Sequence, residues 1–312
     1  MRFLERNDAG QISLTRNFIN YTPQYAVLSH TWGADEEEVS FADMMDGTGK
    51  SKLGYRKIRF CADQAWHDGL RFFWMDTCCI DKSSSAELQE SINSMFRWYH
   101  GATKCYVYLA DVLTAPPNAN DRSSPDPAFQ GRRWLTDPRG FIASALSTRF
   151  FGTDVRLSDG ESLQQHTCAT GDTVVWEPAF PKSRWFTRAW TLQELVAPTS
   201  VEFFSKEGTF LGDKKSLERH IHDVTGIPLN AIRGSCLYEF SIPERMKWME
   251  KRNATREEDR AYSLLGIFGV SMPALYGEGE KSAFRRLKEE IYKTSRSKQV
   301  VDAHYCHHSV LR

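Results

Sequence analysis

Three stretches of the chain hold side chains whose types and spacing suit chemistry. The first is Ser29-His30-Thr31-Trp32-Gly33, two hydroxyls and an imidazole beside an indole. The second is Asp76-Thr77-Cys78-Cys79-Ile80-Asp81. The third centres on Glu194. On a helix over 184–196, Phe186, Trp190 and Glu194 share one face, while Trp185, Ala189, Leu192 and Val196 form the core stripe. A carboxylate one turn from an indole has an apolar neighbour that raises its pKa and excludes water. The indole face can also hold a cationic ring. Each stretch has a plainer reading. The first two suit turn chemistry, with Asp81 or Ser84 capping the next helix, and Glu194 suits a surface pair with Arg188 or another arginine.

Other candidates are weaker. Cys78 or Cys79 could supply a nucleophile with His30 as base, but adjacent cysteines at a strand end also suit core packing. His220 and His222 are two apart, on different faces of a helix, so they do not share a metal. Gly266, Gly269, Gly277 and Gly279 form no phosphate loop. No metal site is expected.

The elements that position these residues follow from periodicity. Apolar runs at 25–29, 71–75, 104–109 and 201–204 predict strands. Helical spacing predicts a helix over about 52–68, stopped by Gly69. A second helix opens on Ser84 and Glu87, which are spaced as a capping box, and carries Leu88, Ile92, Met95 and Tyr99. Strand, helix, strand, helix, strand implies right-handed crossovers and an α/β fold with a central parallel sheet. Ligands bind such sheets beyond the carboxyl ends of the strands, where the first two stretches fall. Residues 112–183, with Pro116, Pro117, Pro125 and Pro127, read as a long insertion. A helical extension is expected over 213–296. It holds a Thr255/Glu258 capping box, a stripe of Ala261, Leu264, Leu265 and Phe268, and another of Ala283, Phe284, Leu287 and Ile291. The tail, 297–312, has no period and reads as disordered.

Composition narrows the partners. The 40 Lys and Arg residues equal the 40 Asp and Glu, so no global field favours nucleic acid. The seven cysteines contain no C-x-x-C pair, which suits reduced thiols in the cytoplasm. No secretory leader and no membrane span is expected.

Four ordered segments carry a family resemblance. They are Tyr25-Ala-Val-Leu-Ser-His-Thr-Trp-Gly33, Phe73-Trp-Met-Asp-Thr-Cys-Cys-Ile-Asp81, Arg188-Ala-Trp-Thr-Leu-Gln-Glu194 and Asp259-Arg-Ala-Tyr-Ser-Leu-Leu-Gly-Ile-Phe268. Their order and wording resemble the heterokaryon-incompatibility (HET) domain of fungi over residues 1–296. The resemblance implies an effector of programmed cell death that acts when unlike hyphae fuse. It implies partnership with a nucleotide-binding switch sensor or self-association. It further implies a distant relationship to Toll/interleukin-1 receptor (TIR) domains and a TIR-like or flavodoxin-like sheet. Residues 183–195 are similar to the Trp-x-x-x-Glu-Leu helix of NAD-cleaving TIR domains, which makes Glu194 the expected catalytic carboxylate, with Trp190 beside it. By the same likeness Ser29, His30, Thr31, Trp32 and Gly33 line the nucleotide site, joined by Asp76, Cys79 and Asp81. NAD then enters as substrate, and no cofactor is needed. The alternative is a TIR-like module that signals by self-association without catalysis.

Overall fold

The computed structural model describes residues 1–19, 21–114 and 176–298, with side chains to residue 295. These residues belong to one unit, and most of the expected insertion, 115–175, lies outside them, as does the tail from 299.

Among the described residues, seven strands form one mixed sheet: β1 (Leu4–Arg6), β2 (Ile12–Leu14), β3 (Tyr25–His30), β4 (Phe72–Trp74), β5 (Lys104–Tyr108), β6 (Val201–Phe204) and β7 (Phe210–Asp213), in the order β2-β1-β4-β3-β5-β6-β7. The four predicted strands form its parallel centre, β4-β3-β5-β6. The edges differ from expectation. The hairpin β1–β2 and the strand β7 are antiparallel additions, each three or four residues long. Such short edge strands carry too few residues to display a period.

The first crossover, through α1 (Phe41–Asp46) and α2 (Tyr55–His67), moves from β3 to β4. The second, through α3 (Asp76–Cys79) and α4 (Ser85–His100), returns past β3 to β5. The direction of winding therefore reverses between β3 and β5, which is where a doubly wound sheet of flavodoxin-like order opens a crevice. Adjacent residues of a strand face opposite sides. In β6, Phe204 packs on Phe60 of α2 with ring centres 5.0 Å apart. Its neighbour Phe203 packs on Trp185 at 5.6 Å, on the other side. Ser29, Val107 and Phe203 lie in register across β3, β5 and β6, so Ser29 shares the Trp185 face.

The expected helix over 184–196 is broken. A tight helical turn spans Arg184–Thr187, Arg188 is extended, and α5 (Thr191–Val196) follows. The cause lies far along the chain. Asn253 N–H donates to the Thr187 carbonyl at 2.6 Å, and Ala189 N–H donates to the Asn253 carbonyl at 2.8 Å, a parallel bridge that holds the strand-like residue. The fully buried Arg252 donates to the Arg188 carbonyl at 2.9 Å and to Thr191 Oγ1 at 2.7 Å.

The extension comprises α6 (Glu218–Thr225), α7 (Leu229–Ile232), α8 (Ile242–Lys247), α9 (Asp259–Tyr262), α10 (Leu265–Phe268) and α11 (Glu280–Lys298). Its predicted stripes are buried at Ala261, Leu264, Leu265, Phe268, Ala283, Leu287 and Ile291. Neither capping box forms as spaced. Ser84 does accept from Glu87 N–H, but the Glu87 carboxylate turns to the Asp81 N–H and to Arg2. Glu258 accepts from Gly277 and Gly279 N–H instead of closing on Thr255. Gly266 lets α10 lie against α4, because a Cβ there would fall 2.0 Å from Phe96 Cβ. Gly266→Ala should therefore destabilise the domain by about 2 kcal/mol or more. A denaturant melt that shifts by less than a few tenths of a kcal/mol would show that α10 is not seated there.

Candidate active site

All six residues of β3 are buried, as suits a central parallel strand covered on both faces. Its last two residues are nonetheless polar, and a buried polar group needs a partner. Ser29, fully buried, finds two. Its Oγ accepts from Trp185 Nε1 at 2.7 Å and donates to Glu194 Oε2 in a short hydrogen bond. Glu194 is only 7% exposed. Burial drives its carboxyl up to about 8, against the pull of the Ser29 hydrogen bond and of Arg188, and with further push from the charge of Asp76. Among the described residues Glu194 has no ion-pair partner, so the surface pair with Arg188 is not what holds it.

His30 points to α3. Its Nε2 lies 3.4 Å from Asp76 Oδ1, and both ring nitrogens are buried without a hydrogen bond. Burial raises the Asp76 carboxyl, but His30, Lys82 and Arg188 together outweigh it and hold the group down to about 2. Asp76 Oδ2 also accepts from Trp32 Nε1 at 3.1 Å. The Trp32 ring is half-buried and carries the Lys82 ammonium 3.7 Å from its centroid. Two carboxyls near one strand end thus sit at opposite extremes, one neutral and one ionised around pH 7, and such divergence marks an acid/base site.

The loop between β3 and α1 is fastened from below. Lys57 of α2 donates to the Thr31 carbonyl at 3.0 Å and pairs with Glu38, whose carboxylate accepts the Gly33 N–H at 2.7 Å. Thr31 and Gly33 therefore shape the loop, with Thr31 buried and Gly33 exposed.

Not every predicted residue joins the cluster. The contacts above form two groups, Ser29 with Glu194 and His30 with Trp32 and Asp76, which act on each other through the charge of Asp76. Asp81 is engaged in its own turn, accepting from Ser83 N–H at 3.0 Å and from the Ser83 hydroxyl. Cys79 is a buried thiol beside Cys78, whose own pKa is raised by the Cys79 contact and by burial. That environment disfavours the thiolate and speaks against a cysteine nucleophile. Trp190 stands one helical turn before Glu194, at the cap of α5, but its side chain goes elsewhere. It hydrogen-bonds Asp259, whose carboxyl burial raises, and which also accepts from Tyr276 at 2.9 Å. The indole that meets the Glu194 group is Trp185, which the sequence pattern assigns to the core stripe. Tyr99, which donates to the Leu28 carbonyl at 3.1 Å, and Arg252 were likewise invisible as site residues. His220 and His222 have separate partners, Glu177 and the Ile227 carbonyl.

A family model described as heterokaryon incompatibility protein (HET) matches residues 25–194. The match spans the four central strands' first three members and closes on Glu194. Vegetative incompatibility protein HET-E-1 of Podospora anserina is 54% identical over 294 residues, which is 94% of this chain and 18% of that protein. The chain belongs to the heterokaryon incompatibility (HET) family. It therefore spans about a fifth of the length of that curated relative. No solved structure matches. Among the described residues of this HET domain, no helix is long and apolar enough to cross a membrane, and no His, Cys, Asp and Glu cluster could hold a metal.

A raised carboxyl pKa has a stability consequence with a definite sign. Between pH 4.5 and about 8 the unfolded chain ionises Glu194 while the folded domain keeps its proton. The folded state then binds more protons, so stability falls as pH rises through this window, by a total on the order of 4 kcal/mol. Glu194→Gln removes this dependence. Its melting temperature should exceed that of the parent at pH 8 by more than at pH 5. A difference that is constant from pH 5 to pH 8 would contradict a neutral, buried Glu194.

Proposed function

We propose that this HET domain hydrolyses NAD to nicotinamide and ADP-ribose, and that this activity makes it a death effector in vegetative incompatibility. The observation that carries the reading is the buried Glu194 on Ser29, near the carboxyl end of the central strand and at the reversal of winding. The parallel centre, in the order β4-β3-β5-β6, supports a TIR-like relationship. The name of the Podospora anserina relative supports the biological setting.

The chemistry asks little of the protein beyond one well-placed charge. The bond from ribose C1 to the pyridinium nitrogen breaks, its electron pair leaves with the ring, and nicotinamide departs neutral without an acid. Water adds to C1, and its surplus proton passes to solvent. The developing positive charge on ribose needs a carboxylate, and electrostatic stabilisation of that kind is the largest single contribution in many enzymes. Burial holds the carboxyl of Glu194 near neutral. A cationic substrate favours its ionised form, so binding and proton release are coupled. Ser29, pinned by the Trp185 N–H, fixes the carboxyl direction. Trp32, tied by its N–H to Asp76, offers a ring face that already accepts the Lys82 cation and suits a pyridinium.

Incubation of the purified domain with NAD should release free nicotinamide. Glu194→Gln should lower the rate by roughly 100-fold or more, while Cys78→Ser should leave it within about threefold, because that thiol touches no reacting atom. The acid limb of kcat/KM should report the free-enzyme carboxyl, with activity rising toward about pH 8. Undiminished turnover by Glu194→Gln rules out this mechanism. A folded domain that yields no nicotinamide, but loses function when its surface contacts are altered, would favour the self-association module.

A further inference from the structure

A cleft lies at the other end of the sheet, where β5 and β6 begin and β7 ends. Its volume is about 690 Å³, and its lining holds four cations against three carboxylates. The charges are not evenly matched. Lys104 pairs with Glu202, and Arg233 grips Glu218 with two hydrogen bonds of 2.7 and 2.6 Å. Asp213 is spent on a turn, accepting from Lys215 and Ser216 N–H at 3.0 and 2.7 Å. One positive charge is in surplus, and Lys215 is drawn electrostatically to Asp213 and Glu218. Lys215 is exposed at the rim, whereas Lys214 is only 7% exposed. Among the described residues Lys214 has no carboxylate partner, and its ammonium donates to the Pro198 carbonyl at 3.1 Å.

A buried ammonium without a counter-ion is costly, and a protein tolerates one where a ligand supplies the charge. Burial also pushes the Lys214 amine down to about 8, with the Cys105 thiol nearby working the other way. The remaining lining is hydroxylic and aliphatic, from Thr199, Ser200, Val201 and Ile232, and includes no aromatic ring. The space exceeds what one phosphate fills, and the absence of an aromatic wall disfavours a base.

We propose that this cleft binds a phosphate group, carried on a small polyol or sugar, through the Lys214 ammonium and the Lys215 rim. The site is separate from Glu194 and independent of the NAD reading. The two meet through α5, since Pro198 follows the helix that carries Glu194, and through Cys105, whose thiol lies near Lys214 and donates to the Glu194 carbonyl.

The test uses the domain as it stands, with inorganic phosphate and ribose 5-phosphate as probes at constant ionic strength and chloride as control. Thermal shifts are avoided, because phosphate stabilises proteins by exclusion from their surface. Phosphorus line widths report binding, and amine acylation followed by peptide mass analysis reports access to Lys214. Both probes should protect Lys214, ribose 5-phosphate the more strongly, and chloride should not. Lys214→Met, which replaces the buried cation by an apolar chain of similar length, should weaken binding about tenfold or more. Lys215→Ala should weaken it by a smaller factor. Acylation of Lys214 that neither probe slows, or equal binding by Lys214→Met, overturns the proposal. Should Lys214→Met not fold, the acylation of the unaltered domain decides alone.

Discussion

The requirement that organises this domain is the satisfaction of one buried hydroxyl. Ser29 stands in a strand with no solvent on either face, and its partners must come from elsewhere in the chain. Trp185 supplies the donor and Glu194 the acceptor. To bring both to one oxygen, the segment between them cannot be a continuous helix. The break at Arg188 supplies the geometry, and Arg252 and Asn253 hold it open by satisfying the freed backbone groups. The C-terminal extension is thus part of the site, although it contributes no group to the Ser29 cluster.

The central sheet was legible because buried parallel strands are continuous apolar runs, and four such runs stand out between helical stripes. The edges were not, because three-residue strands such as β1 have no period to read. The site was legible in part. Ser29 and His30 end a strand, Trp32 and Asp76 lie just beyond one, and topology alone brings strand ends together. Trp190 was misplaced for a definite reason. It caps α5 in helical conformation, one turn before Glu194, but its indole turns to Asp259 of the C-terminal extension, a partner that spacing alone does not reveal. Arg252 carries no signal at all, since a lysine–arginine–asparagine stretch looks like solvated surface.

The two carboxyls explain how a neutral chain builds a charged site. Asp76 keeps its charge because His30, Lys82 and Arg188 face it. Glu194 loses its charge because it is buried against an indole-held hydroxyl, with the Asp76 charge adding to the penalty. The cations that keep Asp76 ionised do not offset the burial of Glu194, although Arg188 pulls in that direction. A cation entering between them would change that balance, which gives the site a built-in preference for positively charged ligands.

The protonation of Glu194 is the claim on which the rest turns. It is read most directly from the infrared carboxylic-acid stretch, taken as the difference between the parent and Glu194→Gln across a pH series. A protonated carboxyl band that persists at neutral pH and fades near pH 8 is the predicted result. A band already absent at pH 6 would mean that Glu194 is an ordinary ionised carboxylate, and the account of the site would be wrong.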